Sequence, residues 1–246
     1  MAQKRLIWDL PTRLFHWLLA AGVIAAFALA KLAGEHNWWF AVHQLIGLTL
    51  GLAVGLRLIW ALIGTRHARF SALIFSPAQV VAYFRGVLNG SGRRHVAHNP
   101  ASAYAIVVMI ALTIMVIASG VLQANGFEPA EEVHEIATYA LLAVAAVHVA
   151  GVVIHTRRFR ENITLSMITG VKEADESDAI ASARPLAGAA LLVILGLFAA
   201  GVFANYDAAT EKTRLPLVGT VISLGEIEAG SHERSGSHRA DHDDDD

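Results

Sequence analysis

The sequence predicts an all-α membrane protein, and three observations lead to this fold class. Of the 246 residues, 55% are hydrophobic and 16% are charged, whereas a soluble domain is usually about 45–50% apolar and about 25% charged. The chain also contains five apolar runs, each near the length of about 20 residues that a membrane-spanning helix needs. Finally, the basic residues lie between these runs in an alternating pattern. The lipid bilayer is therefore the expected environment of this chain.

The five apolar runs define five predicted transmembrane helices. At a rise of about 1.5 Å per residue, each run is long enough to cross the apolar core of a bilayer. The first run follows two basic residues and so resembles a secretory signal, but it contains His16 and leads to no small-residue cleavage site. We therefore expect it to be retained as a helix. The predicted spans are residues 14–32, 40–63, 101–122, 133–155 and 186–204.

The distribution of lysine and arginine predicts the orientation of the spans. Basic residues are concentrated before the first span, between the second and third, and after the fourth. The connection after the first span has only Lys31, and the connection after the third has no basic residue. Because basic loops favour the cytoplasmic side, we expect a cytoplasmic N-terminus and, after five spans, a periplasmic C-terminus. The predicted location is the bacterial inner membrane.

Shorter features lie between and beyond the spans. Residues 76–79 read Ser-Pro-Ala-Gln and predict the start of a short interfacial helix, with serine as N-cap. Pro129, followed by two glutamates, suits the start of the fourth span. Residues 172–183 are polar and predict a linker. The segment 231–246 is rich in histidine and aspartate, and we expect it to be disordered.

The absence of cysteine limits the chemistry that the chain can perform. Without cysteine there can be no disulfide, no iron–sulfur cluster and no C-x-x-C-H site for covalent haem. The net charge of −2 gives no sign of nucleic-acid binding, and no nucleic-acid partner is expected. The 12 histidines are many for a membrane protein. Their positions are therefore the informative feature.

Four histidines fall inside predicted spans. Ionisable side chains are costly within a bilayer and usually serve a function there. His134 and His148 share the fourth span, 14 residues apart, which corresponds to about 21 Å along a helix and to directions within about 40° of each other. One face of that span therefore offers an imidazole near each membrane surface. The four residues are His16, His43, His134 and His148.

The predicted topology pairs these histidines by depth. His43 would lie near the periplasmic surface with His134, and His16 near the cytoplasmic surface with His148. Two neutral imidazoles on opposite faces of a porphyrin are what a six-coordinate b-type haem requires. The spacing thus predicts two haem b groups stacked across the membrane. His155 would also suit His16 in depth, and geometry alone leaves that choice open.

Several motifs together resemble the bacterial cytochrome b-561 family, which includes the cytochrome b subunits of nickel–iron hydrogenases and formate dehydrogenases. At the start of the first span they include the run Trp-Asp-Leu-Pro-Thr-Arg-Leu-Phe-His-Trp, which ends at Trp17. The resemblance covers roughly residues 6–172. In chain order, the motifs are residues 8–17, His43 with Gly47, residues 57–60, 98–100, 134–135, 148–151, 161–162 and 167–172.

The resemblance implies a four-helix transmembrane bundle that binds two haems. The fifth span and the tail depart from the shortest members of the family, and we expect the fifth transmembrane helix to lie outside the bundle. It places His16, His43, His134 and His148 at the ligand positions and so favours His148 over His155. The implied domain layout is a di-haem cytochrome b domain at 1–172, a cytoplasmic linker at 173–185, the fifth span at 186–204 and a periplasmic tail at 205–246.

The resemblance also implies a function in electron transfer. The chain would pass electrons between quinone or quinol and a redox protein, such as a hydrogenase, a dehydrogenase or a c-type cytochrome. A quinone site is expected near Arg13, His16 and His148, and the partner would dock near His43. No catalytic residue is predicted, and whether the chain is itself an enzyme stays open.

Two arginines and a stripe of glycines are further candidates. Arg13 and Arg57 could pair with haem propionates through their guanidinium groups; the alternative is ordinary positive-inside bias with snorkelling. Gly47, Gly51 and Gly55 form a stripe on the second span. Such a stripe commonly allows close helix packing, and a porphyrin edge pressed into the same groove would need it equally.

The remaining histidines lie outside the spans. His98 precedes Asn-Pro, where it could shape a turn or contact quinone. The tail histidines, beside four terminal aspartates, could hold a divalent metal loosely, but their spacing defines no closed site. An acidic tail that is solvated, or docks a basic partner, is the other interpretation. His36, His67 and His95 are expected to be solvated.

Two other functions fit the same sequence. A membrane carrier of metal ions would use the histidines of the spans and tail, and it predicts a colourless protein with metal-dependent uptake. An accessory anchor would use its histidines only for packing, and it would tolerate His43→Ala and His134→Ala without spectral change.

Overall fold

A computed structural model of the chain describes residues 3–32, 38–91 and 94–224. Within these ranges five helices are long and apolar enough to cross a membrane, so the all-α membrane fold and the five predicted spans are confirmed. The long helices are α1 (Leu10–Leu32), α2 (Trp38–Ile63), α4 (Pro100–Ala124), α5 (Pro129–Phe159) and α7 (Pro185–Ala204). The shorter elements are α3 (Pro77–Leu88), α6 (Ile163–Thr169), β1 (Gln3–Leu6), β2 (Val171–Ala174), β3 (Lys212–Arg214) and β4 (Val221–Ser223).

Helix starts follow local signals in the sequence. Ser76 caps α3 in a reciprocal capping box with Gln79, with proline in the first turn, as predicted. Asn99 and Ser102 form the same arrangement at the start of α4. Pro129 begins α5 at the position that the sequence indicated. Short polar motifs with proline therefore fix where three of these helices begin.

The long helices pack as two hairpins and an outer helix. Helix α1 packs along α2, α4 packs along α5, and α2 also contacts α4. Helix α7 lies against α1 and α2, where Leu191 and Leu195 form a core with Phe15 and Ala53. This arrangement leaves the histidine-bearing faces of α1, α2 and α5 for the interior of the bundle.

One end of the bundle, here called the cap end, is closed by β1 and β2. These strands pair antiparallel, with Gln3 opposite Ala174 and Leu6 opposite Val171. The contact continues beyond the strands. The carbonyl of Gly170 accepts from the backbone N–H of Ile7 at 2.8 Å and from that of Trp8 at 3.0 Å. The three basic segments also meet here through the pairs Arg5–Glu176, Arg66–Asp178 and Arg94–Glu161.

The opposite end, here called the hairpin end, carries β3 and β4. The buried Thr213 hydroxyl donates to the carbonyl of Val202 at 2.7 Å, which ties the hairpin to the last turn of α7. Leu224 packs with Leu45 and Phe198 in a buried cluster. Residues 205–224 therefore fold against the bundle, although the sequence predicted only a tail. The histidine- and aspartate-rich segment at 231–246 lies outside the described residues.

Candidate haem-binding sites

His43 on α2 and His134 on α5 face each other near the hairpin end. Their ring centroids lie 6.2 Å apart, and the ring planes are inclined at 75°. Nδ1 of His43 donates to the carbonyl of Ala26 at 2.7 Å, and Nδ1 of His134 donates to the carbonyl of Val116 at 2.9 Å. Because a carbonyl can only accept, both rings carry their proton on Nδ1. Each Nε2 therefore keeps a lone pair.

The spacing of this pair fits two imidazoles that share one metal ion. An imidazole nitrogen binds a metal at about 2 Å, so two rings on opposite sides of one ion have centroids about 6 Å apart. The observed separation of 6.2 Å agrees with this value. A hydrogen bond from the second ring nitrogen to a backbone carbonyl is also the usual way to orient a histidine ligand. His43 and His134 thus fit the axial ligation of a b-type haem.

Glycines shape the surroundings of the pair. A Cβ on Gly120 would lie 3.1 Å from two ring atoms of His134, so glycine is what lets that ring approach α4. A Cβ on Gly47, one turn from His43, would meet no described atom within 4 Å, and the same holds for Gly55. Gly51 has a contact instead, with Ile117 on α4 at 3.3 Å. Gly47 therefore borders open space, which is what a porphyrin edge would need.

His16 and His148 form the second candidate pair of histidines. His16 on α1 is half-buried and interacts electrostatically with His148 on α5. Nδ1 of His16 is buried and has no hydrogen-bond partner among the described residues, while the ring packs edge-on against Trp17 with centroids 4.8 Å apart. An unpartnered buried nitrogen is costly unless it gains a ligand. The electrostatic interaction agrees with the second pair expected from the sequence, and haem ligation by His16 and His148 stays a prediction.

His155 has different surroundings from His148. It is buried two turns closer to the cap end, and its Nε2 lies 3.7 Å from Oε2 of Glu161. Glu161 in turn accepts from Arg94 at 2.8 Å and lies 3.5 Å from Nζ of Lys172. These four residues are here called the cap cluster. His155 therefore faces charged groups of the cap, and this placement supports His148 as the partner of His16.

Burial and pairing act in opposite directions within the cap cluster. Burial lowers the pKa of the Lys172 ammonium, although the neighbouring Glu161 carboxylate opposes this. Burial also acts to raise the pKa of Glu161, but its bonds with Arg94 and Lys172 outweigh that effect and leave the pKa below its ordinary value. Glu161 therefore stays ionised between its two cationic partners.

The two candidate arginines make contacts inside the protein. Arg13 donates to the backbone carbonyl of Ile168 on α6. Arg57 is buried and donates to the carbonyl of Ala68 at 3.2 Å, with the Asp9 carboxylate nearby. Each guanidinium has five N–H donors, so these contacts leave others for an anion. Propionate binding by Arg13 and Arg57 stays a prediction.

Asp9 is a structural residue that the sequence reasoning missed. It is 1% exposed and accepts from the Thr12 backbone at 2.8 Å, the Thr65 hydroxyl at 2.5 Å and the Trp60 indole at 3.2 Å. The carboxylate thereby caps α1 and ties it to the end of α2. A buried charge needs such partners. An Asp three residues before Thr12 was the available signal for the cap.

His67 and His98 form a second buried group at the cap end. The prediction that His67 is solvated is wrong: it is 7% exposed and bonds the Asp178 carbonyl through Nε2 at 2.8 Å. Its own carbonyl accepts from Nε2 of His98 at 3.1 Å, and Trp8 packs on His98 with centroids 5.0 Å apart. Burial lowers the pKa of His98 to about 4, so this ring is neutral near pH 7. His95 is half-buried, and His36 lies outside the described residues.

A groove of about 350 Å³ lies between α1 and α6 at the cap end. Trp17 crosses from one helix to the other, because its indole N–H donates to the carbonyl of Met167 at 3.1 Å. The same indole packs against the ring of His16, so the groove adjoins the second histidine pair. It is lined by Leu10, Arg13, Leu14, Trp17, Met167 and Ile168.

Within residues 3–32, 38–91 and 94–224, no group of three or more histidine and carboxylate side chains is arranged to hold a metal ion. The tail histidines, which the sequence suggested for loose metal binding, lie beyond this part of the chain.

Long apolar helices with histidines paired between them define the class of membrane b-type cytochromes. The chain belongs to the prokaryotic cytochrome b561 family, whose model matches residues 7–170. No curated protein and no solved structure gives a significant match. The family resemblance seen in the sequence is thereby confirmed. The chain is a multi-pass bacterial membrane protein that binds b-type haem and takes part in electron transfer.

Proposed function

We propose that this chain conducts electrons across the inner membrane through two b-type haems, between the quinone pool and a partner redox protein. One haem is held by His43 and His134, and the other by His16 and His148. The observation that carries the proposal is the facing pair at 6.2 Å with both Nδ1 atoms on backbone carbonyls. The protein supplies the ligands and a low dielectric, while the iron carries the electron.

The separation of the two pairs supports conduction across the bilayer. His134 and His148 lie on the same helix, α5, and are separated by about 21 Å along its axis. The apolar core of a bilayer is about 30 Å thick. Two haems at these depths would therefore bring an electron from one membrane surface close to the other.

The groove between α1 and α6 supports a quinone site beside the His16/His148 haem. Its lining is largely apolar, which suits the ring and isoprenoid chain of a quinone. The Arg13 guanidinium, which has N–H groups beyond the one bonded to Ile168, brings donors to its edge, and quinone carbonyls accept hydrogen bonds. The basic segments at this end favour the cytoplasmic side. The partner redox protein would then dock on the hairpin end, near His43.

Haem counting in ligand variants tests the proposal. We expect the wild-type chain, made in haem-sufficient cells, to contain two b haems by pyridine haemochrome. His43→Ala and His134→Ala should each leave one haem, and the double variant should lose no more than either single variant, because both residues hold the same iron. His95→Ala is the control, and it should keep both haems.

Three results would contradict the proposal. A purified wild-type chain without a visible chromophore would remove the electron path altogether. Loss of both haems from the double variant, with one retained in each single variant, would mean that His43 and His134 bind different irons. Unchanged spectra in both single variants would favour the accessory anchor.

A further inference from the structure

His155 is a buried imidazole whose two nitrogens are unsatisfied. The residue is 6% exposed, and neither Nδ1 nor Nε2 has a hydrogen-bond partner among the described residues. Oε2 of Glu161 lies 3.7 Å from Nε2, which is too long for a hydrogen bond. Native proteins rarely leave buried polar atoms in this state. We therefore expect the ring nitrogens of His155 to have a hydrogen-bond partner other than these protein groups.

The position of His155 on α5 places it beside the space between His16 and His148. It follows His148 by seven residues, which is about 10 Å along the helix and brings the side chain to within about 20° of the same direction. His148 interacts electrostatically with His16 on α1. His155 therefore lies at the cap-end edge of the space that the His16/His148 pair encloses.

The charges beside His155 favour an anion at this edge. Lys172 is 4% exposed, and Arg94 and Lys172 share one carboxylate, that of Glu161. Glu173 and Asp175 also act on Arg94, and both are exposed. The Glu161 carboxylate is thus divided between the exposed Arg94 and the buried Lys172, and only part of its charge compensates Lys172. A second carboxylate placed there would meet both Lys172 and the imidazole N–H of His155.

We propose that His155 and Lys172 bind a propionate carboxylate of the His16/His148 haem. His155 donates a hydrogen bond to the carboxylate, and Lys172 supplies the compensating charge. The proposal rests on the proposed function, because it needs a haem between His16 and His148. It makes His155 a positioning residue and leaves the axial bond to His148.

A propionate partner has a measurable effect on the haem. Donors and cations near the porphyrin stabilise the reduced form, which carries one more electron than the oxidised form. Removing His155 should therefore lower the midpoint potential of this haem while its two axial ligands stay in place.

Redox titration of single-haem chains tests the proposal. The His43→Ala background keeps only the His16/His148 haem, so its potential is read without overlap. Adding His155→Ala should keep that haem bound and low-spin but lower its midpoint potential, and adding Lys172→Gln should act in the same direction. His155→Gln, which retains an N–H donor, should restore part of the loss. Arg66→Gln, which removes an exposed cation paired with Asp178 at the cap end, is the matched control and should leave the potential unchanged.

Infrared redox-difference spectra give a second readout that a packing role would not affect. With haem labelled by ¹³C at the propionate carboxyls, the isotope-sensitive bands should shift in His155→Ala and Lys172→Gln, and not in Arg66→Gln. If His155→Ala accumulates poorly, the Lys172→Gln chain decides the outcome alone.

Two outcomes would overturn the proposal. Loss of the remaining haem from His43→Ala/His155→Ala, with retention in His43→Ala/His148→Ala, would make His155 the axial ligand. An unchanged potential and unchanged propionate bands, with haem retained, would reduce His155 to a packing residue. Both outcomes presuppose a bound haem and so differ from failure of the proposed function, in which the wild-type chain itself is colourless.

Discussion

The ring of His134 can lie where it does because the neighbouring helix, α4, has a glycine, Gly120, at the point of contact. Gly120 lies so close that an added Cβ would come within 3.1 Å of Nδ1 and Cε1. The same ring nitrogen donates to Val116, one turn before Gly120 on α4. The close approach and the hydrogen bond together hold the ring with Nε2 directed away from α4.

Gly120→Ala therefore tests the site without touching a ligand. The new methyl group must displace the imidazole by a few tenths of an ångström or break its bond to Val116, so we expect reduced occupancy or a shifted α-band for the His43/His134 haem. The other haem should be unaffected. Gly196→Ala is the control, because a Cβ there meets no described atom within 4 Å. A spectrum identical to wild type would mean that Gly120 does not set the ring position.

At the scale of single residues, the sequence predicted which histidines are candidate ligands but not which groups orient their rings. His16, His43, His134 and His148 could be found because an imidazole within an apolar run is conspicuous. The hydrogen-bond acceptors that orient the rings could not be predicted from the sequence, because Ala26 and Val116 act through backbone carbonyls, which every residue has. The contacts of Asp9 with Trp60 and Thr65 join residues more than 50 positions apart, and no local pattern reports such a distance.

The elements themselves were predictable where their signals were local. Apolar length gave the five spans, and proline with a capping side chain gave the start of α3. The four strands were not predicted, because each has only three or four residues and alternation over so short a run is not distinctive. The pairing of β1 with β2 also joins the two ends of the cytochrome domain, which periodicity cannot reveal.

The groove between α1 and α6 leads to a prediction about quinone binding. A quinone-site inhibitor should shift the spectrum of the His16/His148 haem, and the shift should persist in His43→Ala, which lacks the other haem. Trp17→Ala should weaken inhibitor binding, because the indole lines the groove and bonds Met167. Trp38→Ala, at the hairpin end beside Tyr206, is the control. A shift confined to the His43/His134 haem would place the quinone at the opposite end.

At the scale of the whole molecule, the basic segments are gathered at one end. The three basic segments predicted from the sequence come together at the cap end, where Arg5, Arg66 and Arg94 pair with acidic residues that follow α5. The hairpin end carries Asp207 and Glu211 beside Lys212 and Arg214. The bias of basic residues toward the cytoplasm therefore applies to one assembled surface, and it predicts that the cap end is cytoplasmic.

Single-cysteine labelling tests this orientation, and the native chain has no cysteine to interfere. Ser91 at the cap end and Ala208 at the hairpin end are both exposed. In spheroplasts, a membrane-impermeant maleimide should label Ala208→Cys directly and Ser91→Cys only after the membrane is permeabilised. The reverse pattern would invert the topology, and it would also move the proposed quinone site to the periplasmic side.

The pairing of β1 with β2 has a consequence for the order in which the protein is made. Gln3 pairs with Ala174, so the first strand stays unpaired until about 170 further residues have left the ribosome. At about 5–20 residues per second, this delay is roughly ten to thirty seconds. During that time α1, α2, α4 and α5 are synthesised while the strand pair is still open. The strand pair that closes the cap end can therefore form only after these four helices have been made.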